Sequence, residues 1–141
     1  MVSRMAPGKT YKAFISYSRK ADSALASSIQ SALKRFARPW YRIRWMPIFR
    51  DETSLSLTEA LWVTIEQALS ESEYFVLIAS PTAAGSSGVK REIDYWRKHN
   101  SPKTLLIVLA DGDIVWNDDR GDFDWDEDKT TALPKNLAGF L

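Results

Sequence analysis

Three runs of consecutive apolar residues and one alternating run mark out the strands of this chain. Ala13, Phe14 and Ile15 sit inside a strand expected from Tyr11 to Tyr17, and Tyr74 to Ala79 and Thr104 to Ala110 are similarly unbroken. Continuous apolar runs of this length predict strands covered on both faces. Arg42 to Phe49 alternates basic and apolar residues, which predicts a strand with one exposed face. Between the strands the period changes. Leu25, Ile29, Leu33 and Phe36 recur at helical spacing from about Asp22 to Phe36, with Lys34 and Arg35 near the C-terminus, where cations suit the helix dipole. Arg38-Pro39 ends that helix. Thr58 is placed to cap a second helix carrying Leu61, Ile65 and Leu69, and a third spans residues 88–99.

Strands alternating with helices predict an α/β fold: a parallel sheet with helices on both faces, whose ligands sit beyond the carboxyl ends of the strands. Ser16-Tyr17-Ser18, the 49–57 loop and Ser80-Pro81 all fall at that end. Residues 1–10 read as a disordered leader before a single domain over 11–141. Residues 111–128 read as a long acidic loop holding nine Asp and Glu, and 133–141 as the start of a helix.

Composition narrows the function classes. The 141 residues are 45% hydrophobic and 26% charged, which suits one soluble domain able to bury a core. No apolar run approaches the roughly 20 residues of a membrane span, and the N-terminus lacks the apolar core of a signal peptide. Zero cysteines exclude disulfides and a thiol nucleophile, and a reducing cytoplasm is the simplest home. The net charge of +1 conceals a division: residues 1–50 hold eleven basic residues and one acid, whereas 51–141 hold eight basic and seventeen acidic. That division fits two solvated faces, or a head-to-tail contact between copies. A near-neutral total without a recognisable motif argues against nucleic acid.

Several chemistries fail on inspection. Pro7-Gly8-Lys9-Thr10 imitates the end of a phosphate-binding loop, but Ser3 stands where glycine is required and the strand follows instead of preceding. His99 is the sole histidine, so no Ser-His-Asp triad or multi-histidine metal site can form within one chain. Asp122, Asp124 and Asp126 alternate as calcium ligands do, but Glu127 replaces the glycine of such a loop and Leu133 its bidentate glutamate. The six tryptophans are too scattered for a base-stacking platform and are expected in the core or at interfaces.

Three motifs remain: Phe14-Ile15-Ser16-Tyr17-Ser18, Phe49-Arg50-Asp51-Glu52-Thr53, and Val89-Lys90-Arg91-Glu92-Ile93-Asp94-Tyr95-Trp96. In this order and spacing the chain resembles a Toll/interleukin-1 receptor (TIR) domain of the bacterial type. The resemblance implies a flavodoxin-like three-layer sandwich with strand order 2-1-3-4, and a fifth strand and final helix beyond residue 141. It also implies one of two functions, an NAD+ glycohydrolase or a non-enzymatic assembly scaffold for signalling. A sensor of a nucleotide messenger is a third reading.

For the enzyme, Glu92 matches the glutamate that contacts the ribose next to nicotinamide; on residue type alone it would be an exposed helix glutamate pairing with Lys90 or Arg91. Ser16, Tyr17 and Ser18 match one wall of the nucleotide cleft. Phe49, Arg50, Asp51 and Leu55 belong to the loop that binds substrate or mediates assembly with other TIR domains, and Arg50 is suited to a pyrophosphate. NAD+ is then a substrate, with no separate cofactor, and self-association through 49–57 is the implied regulation, in bacterial immunity or stress signalling. One departure is recorded: Gly88 stands where the family commonly has tryptophan, so no aromatic is available there to stack on base or ribose.

Overall fold

The computed structural model describes residues 11–18, 24–25, 27–28, 31, 43–45, 59–126 and 128–141. Its centre is a parallel sheet of β1 (Tyr11–Ser16), β2 (Ile43–Trp45), β3 (Ser72–Ala79) and β4 (Leu105–Leu109). β1 lies between β2 and β3, and β3 pairs with β4, giving the order β2-β1-β3-β4. In register, Ile15 stands opposite Val76 and Ser16 opposite Leu77. Parallel neighbours need crossovers, and the helices supply them. These are α1 (Glu59–Ser70), the short α2 (Pro81–Gly85) and α3 (Ser87–His99); residues 24, 25, 27, 28 and 31 are also helical.

Two of the unbroken apolar runs have the expected cause, since β1 and β3 are covered on both faces; β4 departs from it, with Leu106 and Leu109 48% and 50% exposed. On one face Phe14, Phe75, Leu77 and Leu105 meet Trp62, Ile65 and Leu69 of α1 and Val89, Ile93 and Trp96 of α3. On the other, Ala13, Ile15, Tyr17, Val76 and Ile78 form a second cluster against which Leu25 packs. Phe75 is stacked on Phe14 at 6.0 Å and tilted against Trp96 at 5.5 Å. Truncating a fully buried tryptophan such as Trp96 to alanine costs about 3–5 kcal/mol.

The region after β3 differs from the single helix expected over 88–99. Ser80 caps α2, its hydroxyl accepting from the amide of Ala83, and Pro81 occupies the first turn, where its missing N–H costs nothing. Ser86 ends α2 and caps α3 by accepting from the amide of Val89. Arg97, Lys98 and His99 close α3 with the cations its dipole favours.

Two expectations for the C-terminal third are corrected. The acidic stretch is no open loop: β5 (Trp116–Asn117) and β6 (Asp122–Phe123) pair as an antiparallel hairpin. Residues 133–141 form a 3₁₀ turn at Lys135–Leu137 followed by further turns, instead of a helix start. The guanidinium of Arg97 donates to the carbonyls of Asn136 and Ala138, at 2.8 and 2.7 Å, and holds these turns against α3. Gly139, at φ +71°, then turns the chain. Among the described residues no helix is long and apolar enough to cross a membrane. The expected leader, the remainder of the first helix and most of the 42–49 strand lie outside the described residues.

Candidate active site

α3 carries the candidate carboxylate on its inward stripe. Val89, Glu92, Ile93 and Trp96 recur at three- and four-residue spacing, and none has exposed surface. Glu92 is therefore not the exposed glutamate that its charged neighbours suggest. Lys90 is exposed, and Arg91 turns to α1, where its guanidinium lies 4.1 Å from the Trp62 ring and 3.9 Å from the Glu59 carboxylate.

Ser16 closes β1 directly beneath this stripe. Its hydroxyl donates to Glu92 Oε1 at 2.7 Å, joining a strand end to a helix 76 residues later, with both side chains fully buried. A carboxyl group withdrawn from water requires such a bond. No spacing in the sequence announces this pair. It arises because α3 follows β3, and β3 lies beside β1.

Ser18 is fully buried as well, and among the described residues its hydroxyl has no hydrogen-bond partner. Tyr17 belongs to the cluster on the opposite face of the sheet from Phe14, so strand alternation separates its side chain from Ser16 and Glu92. The structure thus brings Ser16 to Glu92 and leaves Tyr17 across the sheet. Phe49, Arg50, Asp51 and Leu55 lie outside the described residues.

A cleft of about 590 Å³ opens beside the start of α3, lined by Gly85, Lys90, Trp125, Thr131, Leu133 and Asn136 among others. Neither Glu92 nor Ser16 lines it. Its polar walls are tied into the fold: Thr131 Oγ1 accepts from the amide of Asp113, and Asn136 Nδ2 donates to the Lys90 carbonyl and the Asp94 carboxylate. The cleft is built by the packing of the 130–136 segment on α3, and the buried carboxylate lies outside it.

The alternating aspartates serve the fold also. Asp122 Oδ2 accepts from the indole of Trp125 at 3.0 Å and from the amide of Gly139 at 3.1 Å. Burial alone would push its pKa up; the Trp125 indole, the amides of Phe123 and Gly139 and the Arg97 guanidinium outweigh this and hold it below the usual carboxylate value. Among the described residues no group of three or more His, Cys, Asp or Glu is placed to hold a metal. Tyr95, half-buried on α3, has its pKa raised by burial and by the Glu66 carboxylate, against a bond to Ser70. It stacks on His99 at 4.2 Å, and the exposed His99 closes the helix by contacting the Tyr95 carbonyl through Nδ1.

Comparison with known proteins accords with this arrangement. The TIR domain family model matches residues 13–136. A protein of Actinoplanes sp. named NAD(+) hydrolase ApTIR is 48% identical over 129 residues, covering 92% of this chain. Those residues are 18% of the relative's length, so the chain spans less than a fifth of it. With a parallel sheet flanked by helices, a buried glutamate tied to the end of the first strand and a family match over nearly all its length, this chain belongs to the TIR domain family.

Proposed function

We propose that the chain is the catalytic domain of an NAD+ glycohydrolase releasing nicotinamide and ADP-ribose, with Glu92 as its catalytic carboxylate. The observation that carries this reading is the placement of Glu92 at the carboxyl end of β1, in a chain 48% identical to a named NAD+ hydrolase. A lone carboxylate is sufficient for the reaction. The bond between nicotinamide nitrogen and ribose C1′ breaks with its electron pair on the nitrogen. The leaving group is then a neutral pyridine that needs no general acid, unlike an ordinary glycoside. Glu92 orients the ribose hydroxyls and stabilises the positive charge that develops on the sugar. Water adds at C1′ and releases a proton. The buried hydroxyl of Ser18, at the same strand end, is a group that a bound nucleotide or an ordered water would satisfy. Gly88 offers no ring to hold the adenine over the ribose, which favours the linear product over a cyclic isomer.

The finer features of the family reading belong to the same proposal. The two apolar clusters support a three-layer, flavodoxin-like sandwich around the sheet. Assembly with other TIR domains through the 49–57 loop would regulate turnover, with a role in cytoplasmic immune or stress signalling. Phe49, Arg50, Asp51 and Leu55 would contact substrate or a neighbouring domain from that loop. The test is chromatography of NAD+ incubated with the chain: equimolar nicotinamide and ADP-ribose support the proposal, and intact NAD+ contradicts it.

One observation favours a second reading. Glu92 has no exposed surface, so a substrate reaches it only after movement of what covers it, and Gly88 removes the usual aromatic. A non-enzymatic scaffold that assembles signalling complexes through the same loop would keep Glu92 as a structural link between β1 and α3. Assembly without any nicotinamide release identifies that case.

A further inference from the structure

Ser16 stands in the family resemblance as part of a substrate wall, but its geometry suits a different duty. Its backbone is fixed, because Ser16 is paired opposite Leu77 at the end of β1 in the middle of the sheet. Its hydroxyl meets Glu92 Oε1 at 2.7 Å, and its own surface is wholly buried. On the other side of the bond, α3 is locked by Val89, Ile93 and Trp96 in the core. A carboxylate that must meet ribose hydroxyls in one orientation needs a partner on a rigid element to set its rotamer. Ser16 is placed to supply it.

We propose that Ser16 is a positioning residue, which fixes the Glu92 carboxylate through its hydroxyl without touching the substrate. This rests on the reading of Glu92 as the catalytic carboxylate. It separates Ser16 from Ser18, whose hydroxyl at the same strand end has no partner among the described residues.

The test is the steady-state rate of nicotinamide release by wild type, Ser16→Ala and Ser16→Thr, with thermal unfolding of each to show that they are folded. The expected result for Ser16→Ala is a fall in kcat of at least ~10-fold with KM within about two-fold of wild type, since small misplacements of a catalytic group cost up to ~100-fold. Ser16→Thr keeps the hydroxyl and recovers most of the rate. If Ser16→Ala does not fold, Ser16→Cys preserves the volume with a much weaker donor and carries the same expectation. Wild-type kcat in the alanine variant overturns the inference. A raised KM at constant kcat overturns it too, by showing that Ser16 contacts substrate. An equal loss in the threonine variant does so by showing that space, not the hydroxyl, is what counts. Absence of release from wild type is a separate outcome, which overturns the proposed function on which the inference rests.

Discussion

Ser16 and Glu92, 76 residues apart in the chain, are joined by a 2.7 Å hydrogen bond with no exposed surface on either side chain. The bond ties the end of the first strand to the inward face of α3, so Glu92 bears on stability. Deleting Glu92 takes its acceptor from the buried Ser16 hydroxyl. Glu92→Ala is therefore expected to lower stability by about 1–3 kcal/mol, with Glu92→Gln, which retains an acceptor for Ser16, closer to wild type. Urea unfolding of the two variants checks this; equal stability of both would contradict it.

Gly112 adopts φ +82°, and a Cβ there would meet Thr131 Oγ1 at 2.9 Å and two Pro81 ring carbons at 3.0 Å. Gly112→Ala combines left-handed backbone strain with a clash against a proline ring, and an expected loss of about 1–3 kcal/mol follows. Gly85 is the control, because a Cβ there meets nothing within 4 Å. Gly85→Ala should leave the unfolding midpoint unchanged or slightly raised.

Arg97 holds the C-terminal turns through the Asn136 and Ala138 carbonyls, with the Phe140 ring 5.8 Å from its guanidinium carbon. Both bonds leave the one nitrogen Nη1, which the shorter side chain of lysine would place differently. Arg97→Lys and Arg97→Ala are both expected to speed amide exchange in residues 135–141, with a stability loss of about 1–3 kcal/mol for alanine. Unchanged exchange in that segment would show that the apolar contacts of Leu133 and Leu137 suffice.

The depressed pKa of Asp122 gives a pH dependence of definite sign. Its carboxylate is favoured in the folded state, so its contribution is complete above the unfolded value of about 4 and is lost as pH falls through the lower folded value. Asp122→Asn should therefore be less stable than wild type at neutral pH, and the gap should narrow below about pH 4. A gap that stays constant from neutral pH down to about pH 2 would exclude the charged carboxylate as its source.

The parts legible in the sequence were those fixed by long-range burial. The runs at Tyr11 to Tyr17 and Tyr74 to Ala79 announced strands because both faces of the sheet are covered there; Thr104 to Ala110 announced one too, although Leu106 and Leu109 of β4 are exposed. Short elements set by local bonds were not legible. The hairpin of β5 and β6 has two residues on each side, within an acidic stretch that reads as loop, and its turn residue Gly121, at φ +63°, was the one available sign. The 3₁₀ turn that stands in place of the expected helix, and the residue after it, are held by Arg97, a residue some forty positions earlier. Glu92 was legible as a candidate through its motif, but its burial and its bond to Ser16 depend on topology, not spacing.

The measurement that tests the central claim most directly is the rate of nicotinamide release from NAD+ by wild type and Glu92→Gln at high protein concentration, with circular dichroism to match their folds. Glutamine preserves the shape and the Ser16 contact but removes the charge that the reaction uses. Release by wild type that falls by at least ~100-fold in the folded variant is the predicted result, in keeping with the electrostatic worth of a catalytic group. Comparable release by both would remove Glu92 from the chemistry, and no release by either, even with the domains clustered on a surface, would make the chain a scaffold.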